Sequence, residues 1–476
     1  MQVGKRGLAR IVQIPSFMKR DYDLVVVGGG SAGYGAASTG IEQGLKVAVI
    51  EGAETLGGLC VQRGCMPSKT IIETANRMRD LREGSQFGIE VPEGARVDMD
   101  ELQKRRRRMV SKFQREREEQ LKTEEFDLIR GRAQFVDSHH LKITDGESEK
   151  RFSFRTAVIA TGSSPRIPDI EGLSEVPFWL SRDALVAEEL PEHLLVVGGG
   201  VIACELGCCF EGLGSRVTII NRSDTLLEKL PPEASQEIEQ ACERKGIELK
   251  LDAETKSVKQ EDGEFIVTIE RGKQTEELRG SHLLIATGRT PQIDSLNLEA
   301  AQIDSDEKGI LTNENCQTSQ SHIFAVGDCA DGIDIVHHAV IEGEQAARNA
   351  RAIIDHKAQE PADKTPTVFA IFSDPEIIHI GPPQSELADR DDLEERTLDL
   401  SNFGKAIIRG LDEGLLKVTF EKESGKLIAA TGVGRGVIDF SHSMVFAIRQ
   451  EMTLEEMLKV PHYHPTLAES WTYLEK

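Results

Sequence analysis

The chain has 476 residues, which is too long for a single hydrophobic core and predicts about two to four domains. Hydrophobic residues make up 39% of it, a fraction that is ordinary for an α/β enzyme. The net charge of −23 argues against nucleic acid as a partner, because a surface without a concentrated basic face repels phosphates. No apolar run approaches the ~20 residues of a membrane span. We therefore expect a soluble, cytoplasmic protein that does not bind membranes.

Residues 1–20 contain five Lys and Arg residues and no acidic residue. Organellar targeting peptides carry a similar charge but are usually richer in Ser. We interpret the segment as an extended or upstream start, because Met18 and the two basic residues after it lead directly into the first predicted strand. Organellar targeting is the alternative.

The first predicted unit is a strand, a helix and a strand over residues 22–51. Its glycines fit the motif G-x-G-x-x-G. Gly28 permits the turn, Gly30 lets a pyrophosphate approach the backbone, and Gly33 allows close packing of the helix on the sheet. Glu51 ends the second strand, where a carboxylate can hold ribose hydroxyls. Together these features predict a dinucleotide site on a parallel sheet covered by helices.

Two cysteines, Cys60 and Cys65, follow this unit directly. Cysteines at this spacing diverge by about 140° on a regular helix, so a bridge requires at least one of them in a turn before the helix. Pro67 is suited to the first helical position and predicts the helix start there. Cys65 then lies near the helix N-terminus, where the dipole favours a thiolate, and Lys69 adds a positive charge. The position after a dinucleotide-binding unit favours a redox pair over two unrelated buried thiols.

Two other segments have a distinct composition. Residues 98–125 include four consecutive arginines, a pattern that also occurs in anion sites. The surrounding Glu, Gln and Lys instead predict a helix with a solvated face. From about residue 361 the sequence shows strand-like runs at 405–409 and 415–420, and a helix near 443–450. This pattern predicts a separate C-terminal α+β domain.

The strand–helix–strand pattern returns over residues 193–220, and its glycine motif at 198–203 has alanine in the third position. The strand-end residue is now Asn221 rather than an acid, and Arg222 follows it. Loss of the carboxylate removes repulsion towards a 2′-phosphate, and the arginine can pair with one. The second unit therefore predicts a nicotinamide dinucleotide site that slightly favours NADP, although a neutral residue beside a surface arginine also tolerates NAD.

The chain contains eight cysteines, too few for its length to form a secreted disulfide scaffold. Six of them lie in apolar or loop contexts without a shared spacing: Cys204, Cys208, Cys209, Cys242, Cys316 and Cys329. Cys204 and Cys208 are four residues apart and could in principle bind a metal. No further ligand follows at metal-site spacing, so we expect buried packing and no metal.

The segment from Gly57 to Lys69 reads G-G-x-C-x4-C-x-P-S-K and resembles the active site of the class I pyridine-nucleotide–disulfide oxidoreductases. This family includes dihydrolipoyl dehydrogenase, glutathione reductase and mercuric reductase. The resemblance continues in the A-T-G motifs at 160–162 and 286–288, in I-F-A-V-G-D ending at Asp328, and in the C-terminal H-x-H-P-T-L-A-E. It implies two Rossmann-like dinucleotide-binding domains and a C-terminal α+β dimerisation domain. The implied division is an N-terminal extension at residues 1–20, a discontinuous FAD-binding domain at 21–165 and 290–356, an NAD(P)-binding domain at 166–289 and a dimerisation domain at 357–476.

The resemblance also implies roles for individual residues. Cys60 corresponds to the interchange thiol that attacks a substrate disulfide, and Cys65 to the charge-transfer thiol that faces the flavin. Lys69 and Glu205 match the ion pair beside flavin N5. The residues expected to contact FAD are Gly28, Gly30, Ser31, Ala32, Gly33, Glu51, Gly58, Lys69, Ala133, Thr161, Gly162, Arg289, Asp328 and Ala339. Those expected to contact NAD(P)H are Gly198, Gly200, Val201, Ile202, Glu205, Asn221, Arg222 and Gly288.

His464 and Glu469 match the acid/base pair of the family, in which the histidine acts at the flavin of the other subunit of a homodimer. The chemistry is reasonable because a histidine of near-neutral pKa can take and return a thiol proton, and a carboxylate fixes its tautomer. An isolated surface histidine is the alternative for His464 alone, and the P-T-x-x-E context disfavours it.

Among the members of the family, dihydrolipoyl dehydrogenase is the most similar in its motifs. It shares P-S-K at residues 67–69 and the ending with His462 and His464. Asn221 departs from the acid that is usual in NAD-specific members, and Gln62 and Arg63 alter the usual redox loop. The resemblance therefore implies a small-molecule disulfide or dithiol, or a lipoyl protein, as the substrate.

Other readings remain open. Glutathione reductase normally has P-K-K in place of P-S-K, and mercuric reductase usually carries a C-terminal cysteine pair, whereas no cysteine follows Cys329 here. An NADPH-dependent reductase of another disulfide is a further alternative. From a different class, the chain could serve mainly as the flavoprotein component of a larger assembly. It could also be a flavin oxidase or transhydrogenase that makes little use of Cys60.

Overall fold

The computed structural model describes residues 20–123, 125–146 and 148–474. The predictions for the N-terminal extension, apart from Arg20, lie outside these residues. The helices are α1 Ser31–Glu42, α2 Gly58–Gln62, α3 Cys65–Arg82, α4 Met99–Thr123, α5 Ser181–Ala184, α6 Val201–Leu213, α7 Pro232–Arg244, α8 Val336–Ile354, α9 Gln384–Leu387, α10 Gly404–Ile408, α11 Val437–Phe440, α12 His442–Arg449 and α13 Leu454–Leu458. Short 3₁₀ helices lie at Gly84–Phe87, Leu173–Glu175, Asp294–Leu296, Leu298–Ala301, Gly327–Cys329, Leu400–Asn402 and Ala468–Tyr473.

The strands form several separate sheets. In chain order they are β1 Tyr22–Val27, β2 Val47–Glu51, β3 Asp127–Arg130, β4 Arg132–Asp137, β5 His140–Asp145, β6 Ser148–Ile159, β7 Ser163–Pro165, β8 His193–Val197, β9 Arg216–Ile220, β10 Glu248–Lys250, β11 Glu254–Glu261, β12 Glu264–Arg271, β13 Gln274–Gly280, β14 His282–Ile285, β15 Arg289–Pro291, β16 Ser305–Asp306, β17 Gly309–Ile310, β18 Ile323–Ala325, β19 Val368–Ile371, β20 Ile377–Ile380, β21 Leu393–Asp399, β22 Leu415–Glu421 and β23 Leu427–Val433. Of the described helices, none is long and apolar enough to cross a membrane.

The first sheet has the order β3-β2-β1-β6-β5-β4, and β18 also pairs with β6. Strands β1, β2, β3, β6 and β18 run parallel, whereas β4 and β5 form an antiparallel extension. Leu24 and Val26 on β1 are fully buried because helices cover the sheet, which explains the near-continuous apolar sequence of this strand. Helices α1 and α8 pack closely, with no room for a side chain at Gly343 against the carbonyl of Ala32.

The second sheet has the order β10-β9-β8-β14, and all of its pairings are parallel. Helix α6 connects β8 to β9 and packs its apolar face on Leu194 and Ile219. A three-stranded antiparallel sheet, β11-β12-β13, adjoins it. Strands β7 and β15 pair with each other, so the chain leaves the first unit and returns to it at one place.

The C-terminal part is a five-stranded antiparallel sheet with the order β19-β20-β23-β22-β21. Helices α11 to α13 pack on it around the fully buried side chain of Trp471. The fold therefore confirms the predicted class, with two Rossmann-like units and a C-terminal α+β domain. The residue numbers proposed for the domain boundaries stay a prediction.

Two local predictions were wrong. The strand-like run at 405–409 forms α10, because only Ala406 packs into the core while Ile407 and Ile408 remain exposed, and glycines stand on both sides of the turn. The helix predicted over residues 98–125 is present as α4, but its face is not fully solvated. Arg106 is buried and donates from Nε to Gln103 Oε1 at 2.6 Å. Burial of one arginine in a charged run depends on neighbouring elements rather than on helical spacing.

Candidate active site

The predicted redox cysteines lie on two consecutive helices. Cys60 is in the short α2, Cys65 is the first residue of α3, and Gly64 interrupts the helical conformation between them. This break brings the two thiols close enough for each to shift the pKa of the other, which a continuous helix would prevent. The predicted helix start at Pro67 was two residues late. Pro67 lies within the first turn, where no backbone N–H is needed for an intrahelical bond.

The two thiols have different proton affinities. The hydrogen bond from Cys60 lowers the pKa of Cys65 to about 7; burial opposes this effect, and the charge of Lys69 reinforces it. The same hydrogen bond, together with burial, raises the pKa of Cys60. The reduced pair therefore holds its negative charge on Cys65 and its proton on Cys60. This arrangement agrees with the expected effect of a helix N-terminus on a thiolate.

The predicted ion pair between Lys69 and Glu205 is formed. Lys69 Nζ lies 2.7 Å from Glu205 Oε2, and the carboxylate is largely buried. Glu205 Oε1 also accepts a hydrogen bond from the backbone N–H of Phe372 at 2.9 Å, and Lys69 lies over the ring of Phe372. The contact joins α3, α6 and the C-terminal domain beside Cys65. Phe372 had no predicted role.

The turn after β1 has the form that a dinucleotide requires. Gly28 has a φ of +107°, and a Cβ there would collide with the carbonyl oxygen of Ala160. Helix α1 begins at this turn without a side-chain cap, so its first N–H groups are available to a phosphate. A Cβ at Gly33 would collide with the carbonyl oxygen of Gly28, which gives the third glycine its packing role.

The acid at the end of β2 is held in place. Glu51 Oε2 accepts from the backbone N–H of Gly29 at 2.9 Å, and Oε1 accepts from Ala53 at 2.7 Å. Gly58 faces the same turn, because a Cβ there would lie 2.6 Å from the Cα of Gly30. These residues fit the ribose and pyrophosphate of FAD.

A second group of predicted FAD contacts meets around a residue that the sequence reasoning missed. Ser163 is buried and donates to Asp328 Oδ2 at 2.6 Å, while Arg289 Nε donates to the Ser163 hydroxyl at 2.7 Å. Ser163 directly follows the first A-T-G motif, which was the available signal. Gly162 ends that motif with a φ of +70° beside open space.

The remaining predicted FAD residues lie around the same region. Ser31 and Ala32 begin α1, and Ala339 lies in the first turn of α8. A Cβ at Gly327 would lie within 3.4 Å of both alanine side chains, which shows how closely these two helix ends approach. Ala133 is buried on β4, and Thr161 stands in the A-T-G motif.

The second nucleotide turn repeats the geometry of the first. Gly198 has a φ of +125°, and a Cβ there would collide with the carbonyl of Ala286. Helix α6 begins with Val201 and Ile202, has no side-chain cap, and has open space beside Gly200. Gly288 ends the second A-T-G motif with a φ of +115° and also faces open space.

The end of β9 differs from the end of β2. Asn221 Nδ2 donates to the carbonyl of Thr225 at 2.7 Å, so its amide closes the following loop. Arg222 is exposed and forms no ion pair with any residue that the structure describes. The site therefore lacks the carboxylate of the first unit and has an available cation in its place.

The C-terminal histidine is paired as predicted. His464 Nδ1 lies 3.0 Å from Glu469 Oε1. The His464 side chain is 76% exposed, whereas that of Glu469 is 8% exposed. The carboxylate thus fixes the imidazole orientation while leaving its other nitrogen accessible. His462 has a different partner, the carbonyl of Val460.

The six other cysteines are buried free thiols, as predicted. Across residues 20–123, 125–146 and 148–474, no group of three or more His, Cys, Asp or Glu side chains has a metal-binding arrangement. Arg117, which lies on α4 near Cys60, had no predicted role. Its position in a charged helix offered no signal of that proximity.

The paired glycine turns, the dithiol and the C-terminal sheet define a nicotinamide- and flavin-dependent disulfide oxidoreductase. The chain belongs to the pyridine nucleotide-disulphide oxidoreductase family, whose model matches residues 22–343. The model for the dimerisation domain of that family matches residues 367–474 and supports a homodimer. The predicted family is therefore confirmed, and the chain is an FAD-dependent enzyme that uses NAD(P)H.

The relatives of this chain include enzymes with two different activities. A mercuric reductase of Staphylococcus aureus is 33% identical over 94% of this chain and 81% of its own length. A dihydrolipoyl dehydrogenase of Bacillus subtilis is 34% identical over 94% of this chain and 96% of its own length. The HOCl-induced flavoprotein disulfide reductase RclA of Escherichia coli has the same fold, with a TM-score of 0.83 and 22% identity over 96% of this chain and 99% of its own.

Proposed function

We propose that this chain is a dihydrolipoyl-dehydrogenase-like enzyme. It transfers electrons reversibly between NAD(P)H and a small disulfide, or a lipoyl group on a protein, through Cys60 and Cys65. The observation that carries the proposal is the His464–Glu469 pair, with its buried carboxylate and exposed imidazole. A disulfide substrate releases a thiolate that must be protonated, and this pair is suited to that task.

FAD fits the first glycine turn because the backbone there leaves no room for side chains and presents free helix N–H groups. Glu51 would hold the ribose, the start of α1 the pyrophosphate, and Asp328 and Lys69 the flavin end. Bound FAD would supply a two-electron carrier between the nicotinamide and the disulfide.

The protein side chains account for the proton transfers. Because the pKa of Cys60 is raised, attack on a disulfide requires a base, and we assign this role to His464. The Cys60 sulfur bonds to one substrate sulfur, the substrate S–S bond breaks, and His464 protonates the leaving thiolate. The Cys65 thiolate then attacks Cys60, which closes the protein disulfide and releases the second substrate thiolate. Two electrons pass from the dithiol to the substrate.

We assign His464 to the active site of the opposite subunit. No hydrogen bond joins His464 to Cys60 among the described residues, and the imidazole points into solvent. Large apolar side chains are exposed in the same C-terminal domain, an arrangement typical of an interface. They are Ile407, Ile408, Phe446, Tyr463 and Tyr473. A homodimer would cover them and complete two active sites.

NADP is the slightly favoured nucleotide. Asn221 places no negative charge where a 2′-phosphate would lie, and Arg222 is available to bind one. NAD remains compatible because neither residue excludes a ribose hydroxyl.

Mercuric ion reduction is the second candidate, favoured by the 33% identity to the mercuric reductase of Staphylococcus aureus. Two features oppose it. Residues 330–476 contain no cysteine, so the C-terminal domain as given supplies no second thiol pair. Reduction of a metal ion also releases no thiolate, so a proton held by His464 would have no acceptor in that reaction.

The test is to follow oxidation of NADPH and of NADH by the FAD-loaded dimer with lipoamide, glutathione disulfide or Hg²⁺. Lipoamide turnover is expected, with loss in Cys60→Ser and a decrease of about 10²- to 10⁴-fold in His464→Gln, the range for removal of a general acid. His462→Gln is the matched control and should retain activity. Reduction of Hg²⁺ without lipoamide turnover would support the second candidate. A stable complex with a partner and no turnover of free disulfides would support the assembly role.

A further inference from the structure

A cation lies beside the outer thiol of the redox pair. Arg117 is on α4, which packs against α2 and α3, the helices that carry the two cysteines. Its guanidinium carbon is 4.1 Å from the centroid of the Tyr34 ring on α1. It is also close enough to Cys60 for the thiol to influence the pKa of the guanidinium. Arg117 therefore lies beside Cys60, the thiol that attacks the substrate.

This cation lacks a counter-ion. Nη1 of Arg117 is buried and donates to no hydrogen-bond acceptor within the described residues. No ion pair with an Asp or Glu of that part of the chain is formed either. Burial lowers the pKa of Arg117, and the nearby Tyr34 and Cys60 oppose that effect. The cation–π contact with Tyr34 offsets only part of the cost of burying a charge.

The other charges around the dithiol do not neutralise Arg117. The chain has a net charge of −23, and Lys69, which also lies near the dithiol, is neutralised by Glu205. Arg63, which directly follows α2, is exposed and forms no ion pair with a residue of the described segments. Gln62 is half-buried and donates to the carbonyl of Leu56. The flank of Cys60 is thus locally positive on an acidic protein.

We propose that Arg117 binds an acidic group of the substrate, so that the enzyme prefers small disulfides bearing carboxylates close to the sulfur atoms. This inference rests on the proposed function, since it assumes that Cys60 attacks a substrate disulfide. A carboxylate would provide the acceptor that the buried Nη1 lacks, in a charge-assisted hydrogen bond. The interaction positions the disulfide and does not take part in bond breaking.

The test compares dithiodipropionate with its diamide, two disulfides of the same shape that differ in charge. The wild-type dimer is expected to have a kcat/KM about 10- to 100-fold higher for the dianion, the range for a hydrogen bond to a charged group, and the difference should lie mainly in KM. Added salt should reduce this ratio. Arg117→Gln should bring the ratio near one by lowering kcat/KM for the dianion, and Arg117→Lys should retain part of the preference.

Arg115→Gln is the matched control, because Arg115 is exposed two residues away on the same helix and its loss changes the charge equally. It should leave the ratio unchanged, and flavin content checks the folding of each variant. An unchanged ratio in Arg117→Gln, or a wild-type preference for the diamide, overturns the inference. If uncharged lipoamide is turned over without a preference for the dianion, this inference alone fails. If the wild type turns over no disulfide, the proposed function fails with it.

Discussion

The two nucleotide-binding units of this protein have nearly the same backbone but different chemistry at their ends. In both, a glycine after the first strand faces a carbonyl that would collide with any Cβ: Ala160 for Gly28 and Ala286 for Gly198. The first unit ends in the carboxylate of Glu51, which binds the glycine turn. The second ends in Asn221, whose amide binds its own loop instead. The two units thus present the same phosphate-binding turn, while their strand-end side chains differ in charge and in hydrogen-bond partner.

The units also differ in where their cysteines lie. The first is followed by Cys60 and Cys65, which are half-buried at a break between two helices. The second carries Cys204, Cys208 and Cys209 on α6, where all three are buried. The thiols of the first unit therefore combine partial exposure, a helix N-terminus and a nearby cation, which are the features that favour a reactive thiolate.

The largest expected effect concerns the third glycine of the motif. Gly33→Ala should abolish flavin binding or folding, because the new Cβ would collide with the carbonyl of Gly28. The corresponding residue of the second unit already has a side chain, so Ala203→Gly should cost only about 1 kcal/mol of helix stability. Flavin content and thermal unfolding measure both effects. Normal flavin content in Gly33→Ala would show that the two turns are less different than their packing indicates.

The next largest effect concerns the ion pair between Lys69 on α3 and Glu205 on α6. Lys69→Met should lower turnover by about 10²-fold or more, because it removes an electrostatic group beside Cys65 and leaves the buried Glu205 unpaired. Rapid-reaction kinetics of reduction by NADPH measure this loss. Arg77→Met is the control on the same helix, since its ion pair with Glu73 is exposed and should contribute little. Equal effects of the two changes would contradict a special role for the junction.

These contrasts also show what the sequence could predict. The strands at the two glycine motifs were predictable because buried parallel strands have continuous apolar sequences, and Glu51 and Asn221 were found from their fixed spacing. The helical conformation of α10 was not predictable, since its isoleucines are exposed and resemble a strand only in composition. The position of Arg117 beside Cys60 depends on how α4 packs against α2. The spacing of residues along a helix does not indicate that contact. The predicted Lys69–Glu205 pair required the family resemblance, because 136 residues separate its members.

A smaller effect concerns nucleotide choice. Arg222→Gln should lower kcat/KM for NADPH by about 10-fold, the effect of losing one charged hydrogen bond, and should leave NADH unchanged. Asn221→Glu should decrease the use of NADPH further, because it restores the acid of the first unit beside a 2′-phosphate. Steady-state kinetics with both nucleotides measure the ratio. A preference for NADH in the wild type would show that the neutral residue does not select NADP.

The smallest expected effect concerns the proton affinity of Cys65. The hydrogen bond from Cys60 is the main cause of its pKa of about 7, so Cys60→Ala should raise that pKa towards the ordinary value of about 8.5. The thiolate fraction at neutral pH then falls, and alkylation of Cys65 becomes slower there. The pH dependence of alkylation and of thiolate absorbance measures the change.

Cys209→Ala is the matched control from the second unit. Burial raises the pKa of Cys209 and shields it from reagents, so its loss should not alter the titration of Cys65. If alkylation of the folded protein instead reached the cysteines of α6 as readily as Cys65, burial would not protect them. The contrast between a reactive first unit and an inert second unit would then fail. If only Cys60→Ala shifts the titration, the break between α2 and α3 accounts for the difference, because it brings the donor thiol to Cys65.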